Sequence, residues 1–454
     1  VVRLVGSEMC IRDRIEGEPE WDMFAWDLAR FGEWADKAFT KARVRDQYMH
    51  RFKIHFPNEE RAAGRPAMTR PAYEMQRGMG AVFGLNAGWE HPLWFADAPG
   101  TEDTNGFARQ NWFEPVGREA AMLRDAVGVI DISNFGKYEV TGPGAGDWLD
   151  ALVANHVPRE IGKSCLTPLI GMRGGVAGDF TITMTGDESY MMIGSGMAER
   201  YHRRFFDMVP LPDGTGFEVA TPRIAGFNVA GPRSREMLAG LTDADLSNEG
   251  WRFMRSRRIA VGGVDCLAIR VSFTGDLGWE LHCAVDDQVA LYEILLEAAA
   301  AHGGGPVGGR ALGALRIEKG YGSWGREYSP EYWPQEAGLH GLIKLDKDFL
   351  NKEAYLKISN TPPRESLTMF EVNVTDNADA NGGEPIFLAD GTPVGRVTSG
   401  SYGYTVGKSL AIGYAREGVV SAGDRVEIFI LGKPHAATVL DKPPFDAGGE
   451  RLRA

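Results

Sequence analysis

The sequence predicts an α+β protein in which two related α+β units stand side by side, followed by a small antiparallel barrel. An internal repeat is the first observation. Val140 to Leu152 (VTGPGAGDWLDAL) aligns without gaps on Val229 to Leu241 (VAGPRSREMLAGL). Each copy reads as a strand end, a glycine turn, Pro143 or Pro232 in the first helical turn, then an apolar helix face. The second observation is the strand pattern around these helices, at Ala177 to Met184, Tyr190 to Ile193, Cys266 to Phe273 and Trp279 to Val285. The third is alternation after Lys357: Phe370, Val372 and Val374, then Val426, Ile428 and Ile430, with Gly432-Lys433 as a turn. Glycine supplies 58 of the 454 residues. That is well above the usual ~7% and favours tight turns over a helical bundle.

Along the chain, Val1 to Arg14 (VVRLVGSEMCIRDR) has no secretory apolar core and reads as a non-native leader. Residues 15–97 are rich in aromatics and charges, with helical spacing at Phe24, Leu28 and Phe31 but no set of buried strands. They read as the tail of a larger domain. Residues 98–116 mix Pro, Gly, Asp and Asn without a period and read as a linker. In the second unit Asp286 caps a helix through Ala301, and Gly303 ends it.

Composition excludes several classes of function. With 62 acidic and 49 basic residues the net charge is -13, which disfavours nucleic acid bound through a broad basic face. No apolar stretch approaches the ~18–20 residues of a membrane span; Val289 to Ala301 is interrupted by Glu293 and Glu297. Cys10, Cys165, Cys266 and Cys283 lack CxxC spacing, and the histidines form neither HxH nor HExxH. No disulfide framework or metal site is expected, and a reducing, cytoplasmic setting is. Gly303 to Gly308 formally matches GxGxxG, but it follows a helix and contains Pro306, so it is not expected to cradle a dinucleotide.

Three clusters carry chemistry. Met172 to Met184 (MRGGVAGDFTITM) turns at Gly174-Gly175 and runs on as a strand, with Phe180, Ile182 and Met184 on one face. Asp179, Thr181 and Thr183 take the other, and Gly178 leaves room beside the carboxylate. A ligand site and an Asp on a wet sheet face remain equally open here. Arg270 to His282 (RVSFTGDLGWELH) is strand, turn, strand; Trp279 and Leu281 share one face, so Glu280 projects from the other with Gly278. Ala311 to Gly325 (ALGALRIEKGYGSWG) puts Arg316 in a helix ahead of an aromatic, glycine-rich exit. Two carboxylates and an Arg suit a heterocycle with N–H donors and an acidic tail, although each alone also suits a structural ion pair.

From Ile15 to Ala454 the sequence resembles the C-terminal half of the dimethylglycine and sarcosine dehydrogenase family. From Arg118 onward it is similar to the glycine-cleavage T-protein, an aminomethyltransferase. The strings that carry this are LRDAVGVIDISNFGKYEVTGPGA, MRGGVAGDFTITM, RVSFTGDLGWELH, ALRIEKGYGSWGRE, PQEAGL and PFDAGGERLR. GRPAMTRPAYEMQRGMGAVFGLNAGWEHPLWFA resembles the linker domain that joins the flavin part to the folate part, which favours the dehydrogenase family over a stand-alone T-protein.

The resemblance implies a three-lobed folate-binding fold around a central hole for tetrahydrofolate. Two ferredoxin-like lobes fall in 117–358 and a C-terminal β-barrel in 359–454, with 15–97 the remnant of a flavin-oxidoreductase central domain. It implies that Asp179 is the essential carboxylate near the folate's reacting nitrogens, that Glu280 accepts from the pterin N–H edge, and that Arg316 is a basic residue of the same cavity. FAD would belong only to the N-terminal half that this sequence lacks. The implied function is capture of an iminium or formaldehyde as 5,10-methylenetetrahydrofolate. The alternatives are a stand-alone folate-dependent aminomethyl- or methyltransferase and a non-catalytic folate-binding module. Two departures bear on substrate preference: Gly178 stands where the T-protein pattern has a second Asp, and Asn351 where a Gly is expected in DFLNKEA.

Overall fold

Residues 30–454 are described by the structure, a computed structural model. The expected leader at 1–14, Phe24 and Leu28 lie outside the described residues. After the helix Lys37–Met49, a hairpin of β1 (Ala81–Asn86) and β2 (Trp89–Phe95) leads through the helix Phe113–Asp125 to β3 (Gly128–Asp131). The first lobe follows: β4 (Gly136–Thr141), β5 (Ser164–Ile170), β6 (Val176–Gly186), β7 (Ser189–Gly194) and β8 (Gly216–Val219), in sheet order β5-β6-β7-β4-β8. The second lobe adds β9 (Ile224–Ala230), β10 (Ser256–Val261), β11 (Val264–Ile269), β12 (Gly278–Ala284) and β13 (Gly305–Val307) to β3, in the order β10-β11-β12-β9-β3-β13. Only the β13–β3 pair of this sheet is parallel.

The internal repeat is real in three dimensions. β4 leads into the helix Ala145–Leu152, and β9 leads into the helix Ser234–Ala239. Pro143 and Pro232 precede these helices rather than sitting in their first turns, because each fills a turn closed by Ala145 N–H on Gly142 O or Ser234 N–H on Gly231 O. A proline suits that place, having a fixed φ and no N–H to lose. Gly231 adopts φ +129°, where a Cβ would stand 2.5 Å from both the Leu123 and Ala126 carbonyl oxygens, so only glycine closes the turn. The helix expected from Asp286 starts instead at Gln288 with Asp287 at its N-cap, because Val285–Asp287 form a short 3₁₀ turn first.

β14 (Glu365–Val372), β15 (Pro385–Phe387), β16 (Pro393–Gly403), β17 (Lys408–Arg416), β18 (Arg425–Ile430) and β19 (Lys433–Leu440) close into a barrel. Phe370, Val372, Val426, Ile428 and Ile430 line its core, as their alternation requires. The β18–β19 turn is Leu431-Gly432, both at positive φ, one residue earlier than expected.

Each lobe packs its helices on one sheet face. Phe180, Ile182, Trp148 and Leu149 belong to the first core, and Trp279, Leu281, Phe227 and Tyr292 to the second. The opposite faces of the two sheets meet each other through Met191 and Ile193 on β7, Leu267 and Ile269 on β11, and Ile224 on β9. Full burial of each such side chain is worth roughly 1.5–3 kcal/mol, enough to fix the two sheets face to face. Residues 72–96, expected with the N-terminal remnant, instead pack on the second lobe: Ala72 joins its core, and Trp94 and Ala96 pack with Val116, Leu123 and Leu315. Residues 37–56 bury little, leaving Tyr48, Met49, Phe52 and Ile54 exposed.

Candidate functional site

Asp179 lies on β6 opposite Pro168 of β5. Because Phe180 and Ile182 face the first core, Asp179, Thr181 and Thr183 face the other lobe; Thr181 and Thr183 pair with Ile193 and Met191 of the inter-lobe cluster. On β12 the same logic holds in mirror. Trp279 and Leu281 face the second core, while Glu280 pairs with Ile269 and Asn228 on the face toward the first lobe. The fold therefore brings two carboxylates from sequence-distant strands onto facing sheets at one lobe junction.

The two carboxylates differ electrostatically. Burial pushes Asp179 up to about 6, only partly offset by a bond from its own backbone N–H. Among the described residues no cation forms an ion pair with it, so its carboxyl is poised to gain or lose a proton near neutrality. Glu280 stands 3.4 Å, through Oε2, from Nε2 of His282 on the same strand face. His282 is buried and pushed down by burial, with Glu280 opposing the shift, and neither ring nitrogen makes a well-directed hydrogen bond. An acceptor oxygen beside unsatisfied ring nitrogens suits a flat heterocycle that presents several N–H and lone-pair positions.

Gly178 does not open space on the Asp179 side. A Cβ there would lie 2.8 Å from Nε2 of His202 and 2.9 Å from the Phe180 ring, both in the first core. The glycine admits the buried His202 from the helix Glu199–Phe206, and an aspartate at 178 would be driven into that ring. The departure at Asn351 is conformational. Asn351 adopts φ +62°, a left-handed state that Asn tolerates, and its Nδ2 donates to Ile170 O at 2.8 Å.

Arg316 is not brought to the inter-sheet face. Its guanidinium donates to Glu327 Oε2 at 2.7 Å, Tyr321 O at 2.9 Å and Ser399 Oγ of β16 at 2.7 Å, bracing the lobes against the barrel. It also lines a cavity of about 300 Å³ with Trp112, Arg310 and Tyr402, away from both carboxylates. Its link to Asp179 is indirect: Tyr328, next to Glu327, feels the charges of Asp179, Glu327 and Arg316, and burial raises its phenol pKa.

Residues 303–308 contain β13 and lead to the helix Gly309–Glu318, so the glycine motif has a strand within it and a helix after it. It still cannot cradle a phosphate. The Gly308 N–H is taken by the buried Glu119 carboxylate at 2.8 Å, and Gly308 packs on the backbone of Leu93 and Trp94. These residues do not fit a flavin.

The structure adds residues that sequence reading missed. Lys137 on β4 is wholly buried and shares the inward face with Ile193. Tyr328 sits where Gly322 makes room for its ring. The run of glycines and aromatics after Arg316 was the only sequence signal for the latter.

Two α+β lobes facing each other, closed by a barrel, define the architecture of an aminomethyltransferase. The glycine-cleavage aminomethyltransferase T of Bartonella henselae superposes with a TM-score of 0.72 at 23% identity, over 84% of this chain and 98% of that one. The GCVT N-terminal domain family matches residues 72–347, the glycine cleavage T-protein C-terminal barrel domain 366–446, and the FAD dependent oxidoreductase central domain 16–69. The chain belongs to the GCVT family, in the branch homologous along its length to the dimethylglycine and sarcosine dehydrogenases. Mouse mitochondrial dimethylglycine dehydrogenase is 35% identical over 94% of this chain and 50% of its own. The 4-methylaminobutanoate oxidase (formaldehyde-forming) of Paenarthrobacter nicotinovorans is 32% identical over 97% and 53%, and mouse mitochondrial sarcosine dehydrogenase 29% over 97% and 53%. The chain thus spans about half the length of the curated relatives it matches and covers their aminomethyltransferase-type part. Among the described residues no helix is long and apolar enough to cross a membrane.

Proposed function

We propose that this chain is the tetrahydrofolate-dependent one-carbon transfer module of a dimethylglycine or sarcosine dehydrogenase-like flavoenzyme. One observation carries the reading: the two inward-facing carboxylates at the lobe junction, one of them held near neutrality by burial. Tetrahydrofolate, when bound, would supply two amine nitrogens that take up the carbon of an iminium or formaldehyde, forming two C–N bonds and releasing the parent amine or water, to give 5,10-methylenetetrahydrofolate. Glu280 accepts from the N–H edge of the pterin and sets its depth between the sheets. Asp179 accepts the proton that the attacking nitrogen loses as the new C–N bond forms; a carboxyl with a pKa near 6 both takes and releases a proton at pH 7. Arg316 contributes by fixing Glu327 and, through it, Tyr328 rather than by touching the ligand.

The match of residues 16–69 to a flavin-oxidoreductase central domain favours this reading over a stand-alone transferase. A division into folate lobes at 117–358 and a barrel at 359–454 is supported by the gap between the helix Lys352–Ser359 and β14. The free Cys165, Cys266 and Cys283 support a reducing compartment.

Formaldehyde-dependent formation of methylenetetrahydrofolate tests the proposal. Asp179→Asn should cost about 10²–10⁴-fold in rate, the range typical of general acid–base groups. A variant within about threefold of wild type would refute the role of Asp179.

A further inference from the structure

Lys137 is 0% exposed, where an ammonium survives only if its donors are satisfied. They are: Nζ donates to Ile132 O at 3.1 Å, Ser133 O at 3.2 Å and Phe135 O at 3.1 Å, all in the turn between β3 and β4. Three N–H groups meet three carbonyls, a match that a neutral amine, with two, leaves incomplete. Burial and the Arg70 charge pull this lysine down to about 7, opposed by Asp131, Glu280 and Glu199. The carbonyl cage favours the charged form.

The cage is pinned from both lobes. Ser133 O also accepts from Arg70 Nη2 at 2.9 Å, and Arg70 donates on to Thr221 O at 2.6 Å and Pro222 O at 3.0 Å. The Ser133 hydroxyl accepts from Gly226 N–H at 3.0 Å, and Gly226 lies opposite His282 on β12. Lys137 pairs with Ile193 and Glu280 with Ile269, and both isoleucines belong to the inter-lobe cluster, so both residues lie on the inter-lobe faces, where the Glu280 charge acts on Lys137. Of the three carboxylates acting on Lys137, Asp131 accepts from Gln76 and Gln288, and Glu199 from Thr221. Glu280 has His282 beside it and Asn228 opposite it on β9, and among the described residues no Lys or Arg forms an ion pair with it.

We propose that Lys137 is a positioning residue for ligand recognition: its caged ammonium, fixed through Ser133 to Arg70, supplies the opposing charge that holds the Glu280 carboxylate aimed between the sheets. This rests on the reading that Glu280 receives the pterin edge.

The test is a double-mutant cycle on tetrahydrofolate binding, with Lys137→Met, Glu280→Gln and the pair, each checked for folding by circular dichroism. Lys137→Met is expected to weaken binding about tenfold when Glu280 is present and less than about twofold in the Glu280→Gln background, as coupled groups behave. Effects that simply multiply would overturn the inference. A ligand-free arm reads the same coupling with Lys137 intact: ¹⁵N NMR titration of the lysine ammonium should show its pKa lowered by about half a unit or more in Glu280→Gln. An unchanged Lys137 titration overturns the inference even if folate binds; absence of folate binding with the Lys137 titration shifted overturns only the ligand assignment.

Discussion

Asp179→Asn should make the folded protein more stable at neutral pH while slowing the proposed transfer about 10²–10⁴-fold. The carboxyl is raised from 3.8 to about 6 by burial, so between these values the folded state holds a proton that the unfolded state has released. Wild-type stability therefore falls as pH rises through about 4 to 6, and the full penalty applies above 6. Asn does not titrate and escapes it. Two units at ~1.36 kcal/mol each give a ceiling of about 3 kcal/mol. Since Asp179 is partly exposed, solvent screening reduces this, and about 1–2 kcal/mol is the expected gain. Urea unfolding of both proteins at pH 8, 6 and below 4 is the assay. The gain should be largest at pH 8, smaller at 6 and absent below about 3.8, where both forms are neutral. An Asn variant less stable than wild type at pH 8, or a difference independent of pH, would refute the claim that burial, rather than some unseen partner, sets this carboxyl.

Arg316→Met should destabilise the protein by about 3–5 kcal/mol, because Glu327 is 0% exposed and loses its cation, while tetrahydrofolate affinity of the folded fraction changes little. A loss under about 1 kcal/mol in chemical denaturation would contradict the bracing role. Limited proteolysis should cut first between residues 47 and 56, where Phe52 is 91% and Ile54 71% exposed, and should spare 72–96, which packs on the second lobe. Equal resistance of the two stretches, read by mass spectrometry, would show that residues 37–56 are covered in solution.

What the sequence made legible depended on local pattern. The strand-turn-helix repeat survived translation into structure because a glycine turn and a proline before a helix are local constraints. Glu280 could be assigned to the inward face because Trp279 and Leu281, its immediate neighbours, declared the core side. Long-range pairing was not legible. The free space expected beside Gly178 belongs to His202, which arrives from a separate helix, and Arg316 spends its donors on Glu327 and on Ser399, 83 residues away in the barrel. Lys137, in a strand between Gly136 and Tyr138, looks like an ordinary alternating polar residue; only closure of the second lobe over β4 buries it. The glycine motif at 303–308 shows the converse, since local pattern misplaced its strand while Glu119, far away in sequence, decides that it binds nothing else.

Isothermal calorimetry of the wild-type chain and Glu280→Gln with tetrahydrofolate tests the central claim most directly, namely that the lobe junction carrying Asp179 and Glu280 is a folate site. Saturable binding to wild type, weakened about tenfold or more in Glu280→Gln through loss of a charge-assisted hydrogen bond, is the expected result. No heat at millimolar ligand with a folded protein, or equal affinity for both chains, would contradict it.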